Sequence, residues 1–257
     1  MITLTSDFGL KDSYVAQMKG VIYTINPTAT LIDITHDVEK FNIRMGAFML
    51  SSAASYFPKG TVHVSVVDPG VGTERRAILV QTKQGFFIGP DNGVLVLAAQ
   101  SQNIEHIYYL TNDEFMLPQV SSTFHGRDVF ASAAAHLDKG VKPSEFGPEI
   151  NDAVIPDFTS VKRRRGSFIG EVLHIDNFGN VITNINQKEI SHAKTVNVKL
   201  RNLSLKLTFG KTYAQAKLQN PIMLIGSHGF LEIALNQDSA AEKLHAKAGD
   251  KIEVTLV

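Results

Sequence analysis

Short apolar runs alternate with segments of helical spacing over residues 1–140, and this alternation constrains the fold more than any other feature. The predicted strands are 1–5, 30–34, 61–67, 77–81 and 86–88, and the predicted helices are 12–25, 42–57, 93–100 and 129–137. Strands that alternate with helices form a mostly parallel sheet between layers of helices. We therefore predict an α/β N-terminal domain over residues 1–160.

A different pattern follows residue 165. Short segments with apolar residues at alternate positions are separated by turn residues: GEVLHID, GNVITNI, TVNVKL, LSLKLTF, PIMLIG, FLEIAL and KIEVTLV. Such segments are typical of a small antiparallel barrel or sandwich. We predict an all-β C-terminal domain, a small antiparallel barrel, over residues 161–257. The predicted hinge, 142–165, ends in the basic run Lys162–Arg165, which we interpret as a solvated linker.

Composition argues against several classes of function. The 257 residues include 25 basic and 25 acidic side chains, so there is no electrostatic basis for binding nucleic acid or an anionic membrane. The sequence has no cysteine, which excludes disulfides, thiolate metal sites and thiol nucleophiles. Its histidines are not at metal-ligand spacing, no segment approaches membrane-spanning length, and the stretch MITLTSDFG lacks the basic and apolar regions typical of a secretion signal. We expect a cytoplasmic protein without a bound metal.

The stretch VSVVDPGVGTERR, Val64–Arg76, places an aspartate and two arginines around a glycine-rich turn after a predicted strand. A nucleotide-binding P-loop carries a lysine and a serine or threonine after its last glycine, where they meet phosphates and magnesium. This loop instead closes on Glu74, Arg75 and Arg76. It is not a phosphate loop of that kind, so Asp68 and Arg75 require another explanation.

Polar clusters occur at five places that belong to one end of the predicted sheet. In open α/β sheets, ligands bind at the carboxyl ends of the strands. We expect one rim to collect the polar clusters 6–9, 35–37, 68–70, 89–93 and 124–128.

The candidate residues also have plain structural interpretations. Asp7 fits either an Asx turn or a carboxylate that binds a ribose diol, whereas Asp12 and Ser13 fit a helix N-cap better. His125 stands at a helix start, which favours a neutral imidazole, although a lone histidine is more often an ordinary polar residue. The run Asp176–Asn184 has the chemistry of a hairpin turn.

Six stretches in this order resemble the S-adenosylmethionine (SAM) hydroxide adenosyltransferase family: TSDFGLKDSYVAQMKG, DPGVGTERR, GPDNG, TFHGRD, DNFGNVITNI and GSHGFLEIALN. The resemblance extends from Ile2 to about Ala241. These enzymes, also called adenosine-forming SAM hydrolases, are related to fluorinases and chlorinases. The resemblance implies a hydrolase that converts SAM to adenosine and L-methionine without a cofactor.

The resemblance also implies roles for individual residues. Asp68, Arg75 and His125 match a catalytic triad that handles the attacking water. The substrate-binding residues implied by the resemblance are Asp7 at the ribose hydroxyls, Phe178 and Asn180 at the adenine, Asp176 and Ser227 at the methionine moiety, and in addition Asp12, Phe124 and Glu232.

Two further implications concern the nucleophile and the assembly. Halogenating relatives carry other residue types at the positions of Asp68 and His125, so the acid and the imidazole favour water as nucleophile here. Those relatives have an arginine at the position of His228, whose role stays open. Family members are homotrimers that enclose the ligand between the N-terminal domain of one subunit and the C-terminal barrel of the next.

The implied chemistry agrees with these residue types. The sulfonium of SAM leaves as a neutral thioether, so the reaction lacks only a good nucleophile. A guanidinium favours hydroxide over water, while an aspartate paired with it has a lowered pKa and is a weak base. We therefore interpret Asp68 as orienting Arg75 and the water, with the proton passing through His125 or directly to solvent.

Two other functions remain open from the sequence. A protein that binds adenosine or SAM without catalysis would need the same recognition residues. A metal-dependent phosphoesterase would use the acidic rim, but the sequence lacks recognisable ligand clusters.

Overall fold

The computed structural model describes residues 1–187 and 195–257. The chain divides into two compact units, Met1–Ile155 and Pro156–Val257, and each contains a hydrophobic core. None of the described helices has both the length and the apolar character that crossing a membrane requires.

A sheet between two layers of helices forms the first unit. Its described strands are β1 (Ile2–Ser6), β2 (Leu31–Thr35), β3 (Val62–Val66), β4 (Ala77–Thr82), β5 (Phe86–Pro90) and β6 (Ile104–Tyr109). They lie in the order β2-β1-β3-β5-β4-β6. Neighbours among β2, β1, β3 and β5 pair in parallel, whereas β4 pairs antiparallel with both β5 and β6. Both β1 and β3 are buried throughout, in agreement with their unbroken apolar runs.

Helices cover both faces of this sheet. The described α-helices are α1 (Tyr14–Ile25), α2 (Ile43–Ala54), α3 (Val96–Ser101) and α4 (Ser132–Asp138). A π-helical segment, Gly126–Ala131, leads directly into α4. On one face Met18 of α1 and Phe130 of the π-helical segment join the core that contains Leu4. On the other face Leu50 of α2 packs in a second cluster with α3.

The second unit is a barrel. Its described strands are β7 (Lys162–Arg164), β8 (Ser167–Ile175), β9 (Val181–Asn186), β10 (Thr195–Leu200), β11 (Leu203–Phe209), β12 (Pro221–Ile225), β13 (Phe230–Leu235) and β14 (Lys251–Leu256), with α5 at Ala240–Leu244. The order is β14-β10-β11-β12-β13-β9-β8-β7, and pairing of β14 with β8 closes a barrel of seven strands. Every neighbouring pair described is antiparallel except β11 with β12. The predicted fold class is confirmed.

Several details differ from the predictions. The strand β6 and the helix α5 were not predicted, and the run at Lys162–Arg164 is an exposed strand paired with β8, not a linker. The first helix begins at Tyr14, not at Asp12. Short 3-10 turns also occur, at Asp113–Phe115, Pro143–Glu145, Asp157–Thr159 and Tyr213–Gln215.

Candidate active site

Four of the five predicted polar clusters line one cavity at the carboxyl ends of β1, β2 and β3. This first cavity has a volume of about 770 Å³ and is lined from the segments 7–14, 36–41, 66–71 and 123–126. The fifth cluster, 89–93, contributes none of the lining residues described. Its Asp91 is buried and pairs with Arg76, and its Asn92 donates to the carbonyl oxygen of Val67 at 2.8 Å. The fifth cluster therefore supports the start of the loop that carries Asp68.

Arg75 is hydrogen-bonded to both Asp68 and His125 at the wall of the first cavity. Arg75 Nε donates to both carboxylate oxygens of Asp68, at 2.9 and 3.0 Å, and Arg75 Nη2 lies 2.9 Å from His125 Nδ1. The side chains of Arg75 and Asp68 are only 11% and 6% exposed. Asp68 and His125 line the cavity, whereas Arg75 lies on the core side, 5.2 Å from the ring of Phe130. The arginine is thus the central member of the group.

The contact with Arg75 fixes where His125 carries its hydrogen. A guanidinium has only donors, so Nδ1 of His125 accepts this hydrogen bond and carries no hydrogen. Burial, followed by the positive charge of Arg75, lowers the pKa of His125 below its usual 6.5. The imidazole is therefore neutral at neutral pH, with its hydrogen on Nε2. A ring in this state donates from Nε2 and offers no free lone pair to an incoming proton.

Asp7 lies at the floor of the same cavity, directly after β1. Its Oδ2 accepts a hydrogen bond from the backbone N–H of Phe41 at 2.8 Å. Phe41 is 67% exposed and has a φ of 65°, which is unusual for a bulky residue. Asp12 is exposed and also lines the cavity. Ser13 is the N-cap residue of α1, as predicted, but its side chain makes no capping hydrogen bond, and Asp12 precedes the cap position.

An aromatic cluster surrounds Phe124, and two of its three rings, Phe8 and Tyr14, were not among the predicted site residues. The Phe124 ring lies 5.7 Å from Phe8 and 5.2 Å from Tyr14, and the guanidinium of Arg127 lies 5.0 Å from it. Phe124 meets each of the other two rings edge to face, and all three rings line the first cavity, where they form an apolar wall. Phe124 itself was implied by the family resemblance, but no sequence signal indicated that Phe8 and Tyr14 pack against it.

In the second unit, Asp176 organises a tight turn. Its carboxylate accepts hydrogen bonds from Phe178 N, Asn180 N and Asn180 Nδ2, each at 2.9 Å. Asn180 is buried, whereas Phe178 is 80% exposed. Both residues line a second cavity of about 610 Å³, together with Tyr213 and residues 235–239. The turn therefore presents an exposed aromatic ring and a fixed amide beside one cavity.

Glu232 lies in β13 and is 2% exposed. Tyr213 donates to its Oε1 at 2.9 Å, and His228 Nε2 lies 3.1 Å from its Oε2. Burial, and the hydrogen bond to Glu232, raise the pKa of Tyr213 to about 12. Both oxygens of Glu232 thus have partners within the protein, while Ser227, in the preceding loop, is exposed. Tyr213 was not among the predicted residues. It lies 19 residues from Glu232 in the sequence, and the two side chains meet only in the folded structure.

Comparison with known proteins identifies the family. The model of the SAM hydroxide adenosyltransferase N-terminal domain matches residues 2–147, and that of the C-terminal domain matches residues 170–253. A solved structure of an uncharacterized conserved protein from Thermotoga maritima superposes with a TM-score of 0.89 at 38% identity, over 99% of this chain and all of that one.

Curated relatives share this similarity over nearly their whole length. A protein of Methanocaldococcus jannaschii named (R)-S-adenosyl-L-methionine hydrolase is 40% identical, over 99% of this chain and 95% of the relative. A Thermus thermophilus protein of the same name is 37% identical over 95% of each chain, and a fluorinase from Actinopolyspora mzabensis is 28% identical over 99% and 97%. The resemblance predicted from the sequence is confirmed: the chain belongs to the SAM hydroxide adenosyltransferase family.

Proposed function

We propose that this chain hydrolyses SAM to adenosine and L-methionine. Relatives named (R)-S-adenosyl-L-methionine hydrolase at 36–40% identity support this activity, and we propose the same preference for the (R) configuration at sulfur. The observation that carries the proposal is the hydrogen-bonded group of Asp68, Arg75 and His125 at the first cavity.

In the proposed reaction, the oxygen of water or hydroxide forms a bond to C5′ while the bond between C5′ and sulfur breaks. The electron pair of that bond leaves with sulfur, which becomes the neutral thioether of methionine. One proton of the attacking water is released. No acid is needed to expel such a leaving group, so the protein has to supply a well-placed nucleophile.

The three residues divide this task. The positive charge of Arg75 favours hydroxide over water near it, and hydrogen bonds from its Nε and Nη2 to the Asp68 carboxylate keep the guanidinium in place. The carboxylate of Asp68 faces the cavity, where it accepts a hydrogen bond from the nucleophile. The Nε2 hydrogen of His125 is the donor that orients the nucleophilic oxygen. Since Nδ1 of His125 is already bonded to Arg75, the released proton goes to solvent.

Substrate recognition uses both units. In the first, we assign Asp7 to the ribose hydroxyls, and Asp12 and Phe124 to the cavity wall that meets the substrate. In the second, we assign the following residues to the adenine and methionine ends of the substrate: Phe178, Asn180, Asp176, Ser227 and Glu232. The exposed ring of Phe178 supports stacking on a purine, and the Asn180 side chain, fixed by Asp176, supports a directed hydrogen bond.

Incubating the purified protein with SAM in the presence and absence of EDTA tests this function. We expect adenosine and methionine to accumulate in equal amounts in both samples, measured by chromatography, and the (S) epimer to remain. Binding of SAM without any adenosine would make the chain a binding protein. Activity lost only with EDTA would favour metal-dependent chemistry, for which the described residues offer no group of three or more His, Asp or Glu ligands.

We also propose a homotrimer in which the first unit of one copy and the second unit of another copy complete each substrate site. Light scattering should give the mass of a trimer. Co-expression of Arg75→Ala with Asn180→Ala, assayed at limiting SAM, provides the sharper test, because Arg75→Ala alone should lack the chemical step and Asn180→Ala alone should bind SAM too weakly to turn it over at that concentration. Random mixing in a trimer restores about a quarter of the sites if they are shared between copies. No recovery of activity in the mixed trimers would contradict the shared site.

A further inference from the structure

Two backbone hydrogen bonds join the loops that follow β1 and β2, and both loops line the first cavity. Gly9 N donates to the carbonyl oxygen of His36 at 2.8 Å, and Val38 N donates to the carbonyl oxygen of Ser6 at 3.3 Å. These backbone bonds lie on either side of Asp7, whose carboxylate accepts from Phe41 N in the same second loop. The direction of the Asp7 carboxylate therefore depends on how the two loops are joined.

His36 makes the side-chain link between these loops. Its Nδ1 lies 2.7 Å from Ser6 Oγ, and its Nε2 lies 3.2 Å from Asp33 Oδ1. Ser6 is fully buried, and the His36 side chain is 2% exposed although His36 contributes to the cavity lining. Asp33 in turn accepts a hydrogen bond from Lys19 at 2.6 Å. A chain of polar contacts thus runs from the protein surface to the residue that precedes Asp7.

A buried imidazole at this position is costly unless its polarity is used. Transfer of an unpaired polar group into a protein interior costs free energy, whereas an apolar side chain of similar size would fill the same space without that cost. The ring uses its polarity at Nδ1, which is hydrogen-bonded to the Ser6 hydroxyl and so fixes the rotamer of Ser6. Nε2 lies within ion-pair distance of the Asp33 carboxylate but makes no hydrogen bond to it. Ser6 Oγ also accepts a hydrogen bond from Phe8 N at 3.3 Å. Ser6 and Phe8 are the chain neighbours of Asp7, so this bond constrains the backbone on both sides of it.

We propose that His36 is a positioning residue for Asp7. It holds Ser6 and the loop after β2 in the geometry in which the Asp7 carboxylate meets the ribose hydroxyls. This inference rests on the proposed function, because it assumes that Asp7 binds a ribose. His36 does not contact the reacting atoms in this proposal. Substituting it should therefore change ligand affinity and not the rate of the chemical step.

A double-mutant cycle with adenosine as the ligand tests this assignment. The variants are Asp7→Ala, His36→Leu and the double variant, with adenosine affinity measured by calorimetry. We expect His36→Leu to weaken adenosine binding roughly 10-fold. In the Asp7→Ala background the same change should cost less than about twofold, because the residue that it positions is gone. The single-turnover rate at saturating SAM should change little in His36→Leu.

Two further variants separate positioning from folding. His36→Asn places an amide near the position of Nδ1 and should recover most of the affinity. The matched control is His63→Leu: His63 is also buried, and its Nδ1 lies 2.8 Å from Thr3 Oγ1, but it lies outside the cavity lining described. It should lose stability without losing adenosine affinity. Should His36→Leu fail to fold, Ser6→Ala removes the same hydrogen bond with little change in volume.

The outcomes distinguish this inference from the function on which it rests. Additive effects of His36→Leu, or of Ser6→Ala, with Asp7→Ala would overturn the positioning role while leaving SAM hydrolysis intact. Equal losses of affinity in His36→Leu and His63→Leu would also overturn it. If the wild type neither binds adenosine nor hydrolyses SAM, the proposed function fails and this inference fails with it.

Discussion

The first cavity and the Asp176 turn beside the second cavity hold their polar groups in different ways. In the first unit Arg75 is bonded to Asp68 within one loop, 7 residues away, and also to His125 on a separate element, 50 residues away. In the second unit, the three hydrogen bonds of Asp176 reach only two and four residues further along the chain.

This difference separates two kinds of preorganisation. The group around Arg75 forms only when the first unit is fully folded. Its geometry also depends on the planar guanidinium of Arg75, which donates to both Asp68 and His125. The Asp176 turn forms from adjacent residues, so its geometry is a local property. We expect substitutions in the first group to affect the chemical step, and substitutions in the second to affect binding and local stability.

The largest effect is expected for Arg75→Lys, which keeps the charge but removes the planar fork that bonds both Asp68 and His125. The single-turnover rate should fall roughly 10²-fold or more, while adenosine affinity changes little. The matched control is Arg76→Lys, since Arg76 pairs with Asp91 and Asp152 away from the cavity lining. A near-normal rate in Arg75→Lys and in Arg75→Ala would remove Arg75 from the mechanism.

A smaller effect, on binding alone, is expected for Asp7→Ala. A diol contact is present in both the ground state and the transition state, so the variant should bind SAM and adenosine more weakly without a matching loss of rate at saturation. The loss should be on the order of 2–3 kcal/mol, measured by calorimetry. An unchanged adenosine affinity would refute the assignment of Asp7.

Acid should weaken the first unit through its buried histidines. Burial lowers the pKa of His63 to about 4 from 6.5, so below pH 6.5 the unfolded chain binds a proton that the folded chain excludes. The free energy of unfolding should therefore fall as the pH decreases, by about 2 kcal/mol between pH 8 and pH 5. His125 and His136, whose pKa values are also lowered by burial, act in the same direction.

Hydrogen exchange in the first unit at both pH values measures this loss. In His63→Leu, the free energy of unfolding should decrease less between pH 8 and pH 5 than in the wild type, because the contribution of His63 to that decrease is gone. This holds whatever the variant's stability at pH 8. An equal dependence on pH in the wild type and the variant would show that His63 is not the titrating group.

The smallest effect is expected for Asp176→Ala. The Phe178–Asn180 turn loses its three hydrogen bonds to the carboxylate, and the second unit should lose about 1 kcal/mol of stability because the turn is partly solvated. Adenosine affinity should fall as Asn180 becomes mobile. Asp250→Ala, which removes a similar turn contact to Lys247 N, should leave the affinity unchanged. Normal exchange protection in the first unit of Asp176→Ala would support the local character of the turn.

The two patterns of periodicity were sufficient to predict both fold classes, because burial along a strand or helix is a local property of the sequence. The reversed direction of β4 was not predicted. The reversal could have been inferred from the connection between β4 and β5, residues 83–85, because three residues are too few for a parallel crossover. The strand β6 was missed because Ile104, Glu105 and His106 are all exposed and give no alternating pattern.

The site was predictable to the extent that its contacts are local. Asp68 and Arg75 share one loop, so their pairing follows from the sequence, as does the Asp176 turn. The contact between Arg75 and His125, and that between Tyr213 and Glu232, join separate elements and required the folded structure. The rule for open α/β sheets placed Asp68 and His125 at one end of the sheet, and only the family resemblance added Arg75 to them as a triad.

The π-helical segment at Gly126–Ala131 bears on how His125 comes to face Arg75. Each residue of an α-helix advances the chain by about 100° around the axis, and a π-helical turn holds one residue more. Removing one residue from this segment would leave a continuous α-helix into α4 and would rotate His125 by about that angle. The imidazole would then turn away from the guanidinium although neither side chain had been altered. The extra residue thus acts as a fixed rotational offset that sets the direction of His125.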